Sequence, residues 1–330
     1  MERIVSFAIW RKCDFQIHSP RDPNWIGSRL IGRGQVLEGK SSSVTDDEIH
    51  EARAQWAKTF VDKCSEKGLQ AIALTDHHEM VMVPYVKAEI ERREKTDPTF
   101  DLWLFPGMEL TALGGKQCLI LFDADLSEEW WRQAQGALGI EYANVDEKAA
   151  TAPPRVTHLT CHYPDIAERL DQFEGLKGRY IILPNVSQGN AHTVLVKGGH
   201  GEFSRMKYVG GYLDNCQTIN NLTSKNLRRL SGTHKKWSSR HIYPLPTSDS
   251  RSADYRQLGE NDTWIKLAQP TAEAIRQAFL GHKSRIRIET PIIPSQFIKD
   301  ITIQRSTILA PNSMPLSPVN CPGIVGGRFV

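Results

Sequence analysis

The chain has 330 residues, which is enough for one large domain or for two of ordinary size. Its apolar content of 40% and charged content of 24% are typical of a soluble globular protein, and a formal net charge of +3 is too small to indicate nucleic-acid binding by itself. No apolar run approaches the roughly 20 residues that span a bilayer, so we expect no membrane partner. The six cysteines occur without C-x-x-C spacing, which excludes a zinc-finger motif and favours reduced thiols in a cytoplasmic protein.

The first polar pattern lies at the end of a predicted strand. In "DFQIH" an acid, a glutamine and a histidine alternate as Asp14, Gln16 and His18. Alternate residues of a β-strand point to the same side, so we expect these three potential metal ligands to face one way.

The segment that follows predicts the clearest helix of the chain. Thr45 is its expected cap, Glu48 would complete a capping box, and Gly68 is placed to end the helix. Apolar residues recur at helical spacing between these limits and predict a buried face: Ile49, Ala52, Trp56, Phe60 and Cys64. The short apolar run "AIAL" comes next, and a helix followed by a buried strand is typical of a parallel sheet.

The alternation of strands and helices continues along the chain. The further predicted strands are "LWLFPGMEL", "CLILFDAD", "GRYIILPNVSQGNAH", "HIYPLPTSDSR" and "DTWIKLA". Helices are predicted after Ser127 and between Thr271 and Gly281. Residues 205–245 are irregular and polar, and they predict loops.

One basic segment leaves two interpretations open. Lys225–His241 carries several cationic side chains around Trp237. It is either a solvated loop or a surface that follows a phosphate backbone, with the indole stacked on a base.

Residues that can bind metals follow several of the predicted strands. In a parallel α/β barrel the carboxyl ends of the strands meet at one rim, where sequence-distant side chains come together. The rim would then assemble His18, Asp76, His77, Glu109 and Asp249. His192 follows another strand end and is a further candidate ligand. Imidazole and carboxylate ligands suit Zn²⁺, Mn²⁺ or Fe²⁺, and such cations can clamp a phosphate while activating a water.

The motifs "DFQIH", "TDHH", "GMEL", "NVSQGNAH" and "SDSR" resemble, in this order, those of the polymerase and histidinol phosphatase (PHP) superfamily of metal-dependent phosphoesterases. "IALTDHHE", "MKYVGGYLDN" and "DTWIKLAQPTAEAIRQAFLGHKSRI" also resemble the PHP-like N-terminal region of TrlF-type AAA-like ATPases. The resemblance implies an α/β fold, namely a distorted (β/α) barrel of the PHP type with a short C-terminal extension. It places a PHP-like domain over residues 1–290 and an extension over residues 291–330 that is similar to the start of an ABC/SMC-like ATPase domain.

Two positions depart from the pattern of this family. Gln16 stands where the first motif normally supplies a histidine, and Arg251 stands where the last motif does. We keep Gln16 in the predicted metal set, but its carbonyl oxygen is a poorer zinc ligand than imidazole, which suggests fewer ions. Arginine cannot bind a metal, so we expect Arg251, together with Arg21, to contact a substrate phosphate. The extension lacks G-x-x-x-x-G-K-[ST], and we expect no ATP binding through a Walker A loop.

The resemblance implies hydrolysis of a phosphoester, in nucleic acid or in a nucleotide, and a role in phage defence. Its cofactor would be a divalent metal (Mn, Zn, Fe or Mg), and Asp76, Glu109 and Arg251 would be catalytic. The alternative is a catalytically lapsed PHP-like module that senses a ligand or docks a partner such as an ATPase. Gln16 and Arg251 favour this alternative directly.

Overall fold

The computed structural model describes residues 7–31, 42–140, 158–206, 209–237 and 240–292. Its strands are β1 (Ile9–Ile17), β2 (Ala71–Leu74), β3 (Trp103–Thr111), β4 (Gln117–Phe122), β5 (Tyr180–Pro184), β6 (Gly210–Leu213), β7 (Tyr243–Pro246), β8 (Trp264–Leu267) and β9 (Ile286–Arg287). Its helices are α1 (Asp46–Glu66), α2 (Val83–Thr96), α3 (Glu128–Ala137), α4 (Ile166–Leu170), α5 (His200–Arg205), α6 (Ser224–Leu230), α7 (Ala272–Leu280) and α8 (His282–Arg285). None of these described helices is long and apolar enough to cross a membrane. Most of the C-terminal extension lies outside the described residues, so the boundary near residue 290 stays a prediction.

Seven strands form one curled sheet in the order β5-β4-β3-β2-β1-β8-β9. Strands β1, β2 and β3 run parallel, as the succession of helix and buried strand predicts. Strands β4, β5, β8 and β9 are added by antiparallel pairing instead. The turn between β3 and β4 is too short for a crossover helix, and Gly114 and Gly115 adopt positive φ in it. The curled sheet forms a half-barrel and confirms an α/β fold of the distorted (β/α) barrel class.

The parallel pair of β6 and β7 connects the two sides of the half-barrel. A backbone bridge joins Asn185, directly after β5, to Tyr212 in β6. A second bridge joins Ile17 at the end of β1 to Ser250, which follows β7. Both bridges lie at or near strand ends, so the carboxyl ends of β1, β2, β3, β5, β6 and β7 surround one rim.

The prediction of loops over residues 205–245 is wrong, because β6 and α6 lie within this range. Strand β6 has only four residues and begins with two glycines, which weakens its strand signal. Close packing explains why both positions are glycine. A side chain at Gly210 would meet the Phe279 ring at 2.6 Å, and one at Gly211 would meet the Pro184 carbonyl oxygen at 3.0 Å. Glycine therefore allows β6 to lie close to α7 and β5.

The two faces of the sheet bury separate apolar clusters. The inner cluster takes alternate strand residues and is completed by α7: Cys13, Phe15, Ala71, Ala73, Phe105, Leu119, Leu121, Ile181, Leu183 and Phe279 are among its members. Phe279 packs at the start of β6, opposite the end of that strand where the rim lies. The inner cluster therefore fills one end of the barrel and leaves the other end to polar side chains.

The structure confirms the predicted limits of α1. Thr45 accepts a hydrogen bond from the backbone N–H of Glu48, whose carboxylate accepts one from the N–H of Thr45 at 2.9 Å. Gly68 follows the last turn with a φ of +66°. Trp56 and Phe60 stack with their ring centroids 5.0 Å apart in the outer cluster, so the predicted apolar face is buried.

The predicted helix caps elsewhere differ in their side-chain bonds. Thr271 caps α7 by accepting from the backbone N–H of Ala274, and Gly281 ends that helix. Ser127 occupies the cap position of α3, but its side chain makes no capping hydrogen bond.

We expect the substitution Gly107→Ala in β3 to lower the free energy of unfolding by about 1–3 kcal/mol, as is typical of overpacking. The added methyl would meet the Ile120 carbonyl oxygen at 2.8 Å and the Thr75 methyl at 3.0 Å, and neither can move without shifting a strand. Urea denaturation measures the change.

The matched control is Gly136→Ala in α3, where no atom lies within 4 Å of the added methyl. This substitution should raise the free energy of unfolding by about 0.5–1 kcal/mol through helix propensity. A Gly107→Ala protein as stable as the parent would contradict the close packing of β3 against β4.

Candidate metal centre

An irregularity in β1 decides which of its polar residues reach the rim. The pairing with β2 shifts register between Asp14 and Ile17. Phe15 lies in the inner cluster whereas Ile17 lies in the outer one, so Gln16 and His18 take the inner positions. Asp14 bonds to backbone N–H groups of two loops instead. The expectation that all three polar residues face one way is therefore wrong for Asp14, because the irregularity interrupts the alternation.

Asp22 fixes the orientation of two histidines. Its Oδ2 accepts hydrogen bonds from His18 Nδ1 at 3.0 Å, from His77 Nδ1 at 2.8 Å and from the His77 backbone N–H at 2.8 Å. The Asp22 side chain is fully buried, and its Oδ1 accepts from the backbone N–H of Asn24. Because Nδ1 of each imidazole serves this carboxylate, each ring presents Nε2 to the rim.

The two Nε2 atoms converge on carboxylate oxygens from other strands. Glu109 Oε2 lies 3.4 Å from His18 Nε2 and 3.6 Å from His77 Nε2. Asp249 Oδ1 lies 3.3 Å from His18 Nε2, and the Gln117 amide nitrogen lies 3.3 Å from His77 Nε2. His18 Nε2 and Asp249 Oδ1 are buried, and neither has a hydrogen-bond partner among the described residues.

The spacing of these atoms fits a divalent cation. Ligands that lie 2.0–2.1 Å from a tetrahedral ion are roughly 3.3–3.4 Å from one another. The distances from His18 Nε2 to Glu109 and to Asp249 match this value. Ligand atoms of His18, His77 and Glu109 all lie within 4.8 Å of one another. A carboxylate behind each imidazole is the usual support of a metal-bound histidine, so the residues present fit a metal.

A second group of potential ligands consists of His18, Asp22 and Asp76. Its oxygens already have protein donors, because Asp76 accepts from both the N–H and the hydroxyl of Ser19 at 2.6 Å each. Asp76 lies 4.0 Å from His18 Nδ1, on the side of the ring away from the converging Nε2 atoms. Burial, with the charges of Asp22 and Glu79, raises the pKa of Asp76 to about 7. The first group is therefore the better candidate for a metal site, and the roles predicted for Asp76 as ligand and catalytic residue stay predictions.

Opposite charges stabilise one another in the first group. Burial acts to lower the pKa of His18, but the Asp22 and Glu109 carboxylates outweigh it and raise the pKa to about 10. Burial acts to raise the pKa of Glu109, but His77, His18 and the Tyr212 hydroxyl lower it to about 2. A cation that binds there would compete with protons for the imidazole nitrogens.

The rim contains two acids that sequence analysis did not identify as site residues. Asp22 lies in the loop after β1, and Asp214 directly follows β6. Gln16 Nε2 donates to Asp214 and to Glu109, and its Oε1 lies 2.6 Å from the Thr247 hydroxyl, so the metal role predicted for Gln16 stays a prediction. Asp214 has the same signal as the recognised residues, an acid after an apolar run, but its strand was not predicted. Asp22 has no periodic signal.

Three other predicted site residues bond to different partners in the structure. His192 Nδ1 contacts a backbone carbonyl of the β3–β4 turn at 2.7 Å. Arg21 is buried, and its Nε donates to Glu79 at 2.7 Å. The Arg251 guanidinium donates to Asp249 Oδ2. Arg21 thus forms an ion pair with Glu79, and Arg251 forms one with Asp249, a candidate metal ligand. The predicted contacts of both arginines with a substrate phosphate stay predictions.

The basic segment does not offer an indole to nucleic acid. Trp237 is only 3% exposed and packs edge-on against Phe203, with ring centroids 5.0 Å apart. The Arg229 guanidinium lies 4.2 Å above its ring and is itself buried. The interpretation in which this indole stacks on a base is therefore wrong, because the ring is part of the core.

No family model matches the chain, and a search of curated proteins gives no match. Solved structures with some similarity include a protein described as a metal-dependent phosphoesterase from Bifidobacterium adolescentis, with 14% identity and a TM-score of 0.35 over 73% of this chain and 88% of that one. PsfC from Pseudomonas syringae has 12% identity and a TM-score of 0.40 over 81% and 88% of the two chains. An amidohydrolase from Chromobacterium violaceum has 13% identity and a TM-score of 0.31 over 84% and 98%.

At these identities and TM-scores the similarity carries no argument about the function of this chain. The resemblance to the PHP superfamily and to TrlF-type proteins therefore stays a prediction. The case for a metal centre depends on the geometry of the rim itself, namely on paired imidazoles, converging carboxylates and buried atoms without a hydrogen-bond partner among the described residues.

We expect Tyr212→Phe to lower the free energy of unfolding of the metal-free protein by about 1–3 kcal/mol, because a buried carboxylate loses a donor. The Tyr212 hydroxyl donates to Glu109 Oε1 at 2.8 Å and accepts from Asn185 Nδ2 at 3.2 Å. Urea denaturation measures the loss. The control is Tyr243→Phe, because the half-buried Tyr243 hydroxyl makes no hydrogen bond within the described residues. Equal losses in the two variants would contradict a specific role for the Tyr212 hydroxyl.

Proposed function

We propose that the protein is a metal-dependent hydrolase that cleaves phosphoesters. The observation that carries this proposal is the convergence of Glu109 Oε2 and Asp249 Oδ1 on His18 Nε2, at 3.4 and 3.3 Å. Two of these three buried atoms have no hydrogen-bond partner among the described residues. A buried polar atom without a hydrogen bond is costly, and a resident cation would satisfy these two atoms.

The residues around the proposed cation would have different roles. His18, His77, Glu109 and Asp249 would hold it, and Asp22 would keep both imidazoles in the tautomer that presents Nε2. When bound, a divalent cation supplies a Lewis acid and lowers the pKa of a water towards neutrality. All of these side chains are buried, so their charges would act on a substrate with little screening.

Arg251 supports a phosphate as the substrate group. Its guanidinium bonds to Asp249 while the side chain remains 24% exposed, so it lies between the metal site and solvent. A guanidinium can bind two phosphate oxygens at once and stabilise the charge that develops on them. Arg21 would have to leave its buried ion pair with Glu79 to do the same.

The resemblance to PHP and TrlF-type proteins supports a finer version of the proposal. The phosphoester would belong to a nucleotide or a nucleic acid, the protein would act in phage defence, and an ATPase would be its partner. Turnover of p-nitrophenyl phosphate, bis(p-nitrophenyl) phosphate and single-stranded nucleic acid would separate a phosphatase from a nuclease.

A catalytically lapsed module that senses a ligand or docks a partner is the second candidate. The Gln16 amide and the Arg251 guanidinium favour this second candidate, because both donate hydrogen bonds to carboxylate oxygens of the rim. These carboxylates are then less available to further cations.

We expect the purified protein to bind Mn²⁺ and to hydrolyse bis(p-nitrophenyl) phosphate, and we expect Glu109→Gln to lower kcat by about 100-fold or more. The substitution keeps the shape of the side chain but removes the charge on which both Nε2 atoms converge. Elemental analysis and p-nitrophenol release are the measurements.

The control variant for this test is Glu89→Gln on α2, where the carboxylate pairs with Arg92 away from the rim. Its turnover should equal that of the parent. A protein that binds the metal but hydrolyses none of the three substrates would favour the lapsed module, and a protein that binds no metal would overturn both the site and its chemistry.

We expect Asp22→Asn to weaken Mn²⁺ or Zn²⁺ binding by about 10- to 100-fold, as loss of a carboxylate behind a metal-bound histidine typically does. The asparagine would present an N–H donor or a weaker acceptor to two imidazoles that now share one charged oxygen. Isothermal titration calorimetry measures the affinity. Asp123→Asn is the matched control, because Asp123 is also buried but bonds to Ala272 and Arg179 outside the rim. An unchanged affinity in Asp22→Asn would show that Asp22 does not orient the ligands.

A further inference from the structure

We propose that the centre binds a single divalent cation, and that the side-chain amide of Gln16 takes the position that a second cation would occupy between Glu109 and Asp214. This inference rests on the proposed cation site at His18. It adds a latent second site, formed by two carboxylates and closed by one neutral side chain.

The amide nitrogen of Gln16 lies between the two carboxylates. Nε2 is 3.3 Å from Glu109 Oε2 and 3.2 Å from Asp214 Oδ1. A primary amide has two N–H groups, and here each can serve one carboxylate. The other Asp214 oxygen accepts from Asn190 Nδ2 at 2.7 Å, so that carboxylate is held in place from both sides.

The orientation of this amide follows from its neighbours. Gln16 Oε1 lies 2.6 Å from the Thr247 hydroxyl, whose single proton can go to it or to the Leu213 carbonyl oxygen at 2.9 Å, so the acids on the other side of the amide decide its orientation. The reverse orientation would turn the amide oxygen towards Glu109 and Asp214, where acceptors would face acceptors without a donor between them. The side chain is 0% exposed, and its polar partners lie in β3, directly after β6 and directly after β7, so it has little freedom to withdraw.

The position of Glu109 links the two sites. The same oxygen, Oε2, lies 3.4 Å from His18 Nε2 and 3.3 Å from the Gln16 amide. In two-metal hydrolases a carboxylate placed in this way can bridge two cations roughly 3.5–4 Å apart. Here the N–H groups of Gln16 point at the oxygens that a second cation would need.

The test is a gain of metal in Gln16→Glu. This substitution keeps the length and shape of the side chain but replaces the NH2 group with a carboxylate oxygen, so three acids would surround one point. Each protein is loaded with excess Mn²⁺, freed of unbound ion by gel filtration and assayed by elemental analysis. We expect about one ion per chain for the parent and about two for Gln16→Glu, because carboxylate oxygens are suitable Mn²⁺ ligands.

Two further proteins locate the added ion. Gln16→Glu combined with Asp214→Asn should return to about one ion per chain, because it removes the acid on the far side of the latent site. Gln70→Glu is the matched control and should keep about one, because Gln70 lies just before β2 and bonds to the Lys12 backbone outside the rim. A thermal shift on adding Mn²⁺ that is larger in Gln16→Glu than in the parent would support the same conclusion independently of activity.

The outcomes separate this inference from the proposed function. About two ions per chain in the parent would overturn the inference and leave the hydrolase proposal intact. No ion in the parent would overturn the proposed function itself, and the inference with it. A folded Gln16→Glu protein that still holds only one ion would also overturn the inference. If Gln16→Glu does not fold, Gln16→His is the replacement, since it offers a neutral ligand at the same place and should also raise the metal content to about two.

Discussion

The candidate centre depends on one buried carboxylate oxygen, Asp22 Oδ2. It accepts hydrogen bonds from the ring Nδ1 atoms of His18 and His77, and so it sets both tautomers at once. A buried carboxylate is unstable unless it is paired, and the two imidazoles hold the pKa of Asp22 well below its usual range against the effect of burial. The same contacts therefore stabilise the charge of Asp22 and aim two Nε2 atoms at the rim. Arg29 supports this loop by donating to the Asp22 carbonyl oxygen at 2.7 Å.

The position of the rim follows from how the barrel is completed. Strands β1, β2 and β3 supply His18, His77 and Glu109 through parallel pairing alone. Asp249 comes from the loop after β7, which reaches β1 through the backbone bridge between Ile17 and Ser250. Asp249 adopts a positive φ of 52°, a conformation that Asp tolerates better than most residues. A small parallel pair of strands thus brings an acid from late in the chain to within 3.3 Å of His18.

The sequence predicts this fold and site in part, and the limits have physical causes. Strong local signals succeed: the capping box at Thr45 and Glu48 places α1, and apolar runs that end in polar residues identify the acids and histidines of the rim. Sequence analysis misses the site residues that carry no local signal. Asp22 lies in a loop, where no periodicity marks its role, and Asp214 follows a strand whose glycines are explained only by contact with α7 and β5. The predicted orientation of Asp14 is wrong because a register shift between β1 and the neighbouring strand interrupts the alternation of side chains along β1.

Charge gives Gln16 and Arg251 a common explanation. A buried group of ionised residues is stable only when its charges are nearly balanced and hydrogen-bonded. In the proposed site, one divalent cation and the Arg251 guanidinium would balance the carboxylates of Asp22, Glu109 and Asp249, while the remaining acid, Asp214, accepts from the Gln16 amide. The neutral Gln16 amide leaves this balance unchanged and fills the space between Glu109 and Asp214 with donors. The Arg251 guanidinium already bonds to Asp249, so the glutamine and the arginine are both consistent with the proposed site for one ion.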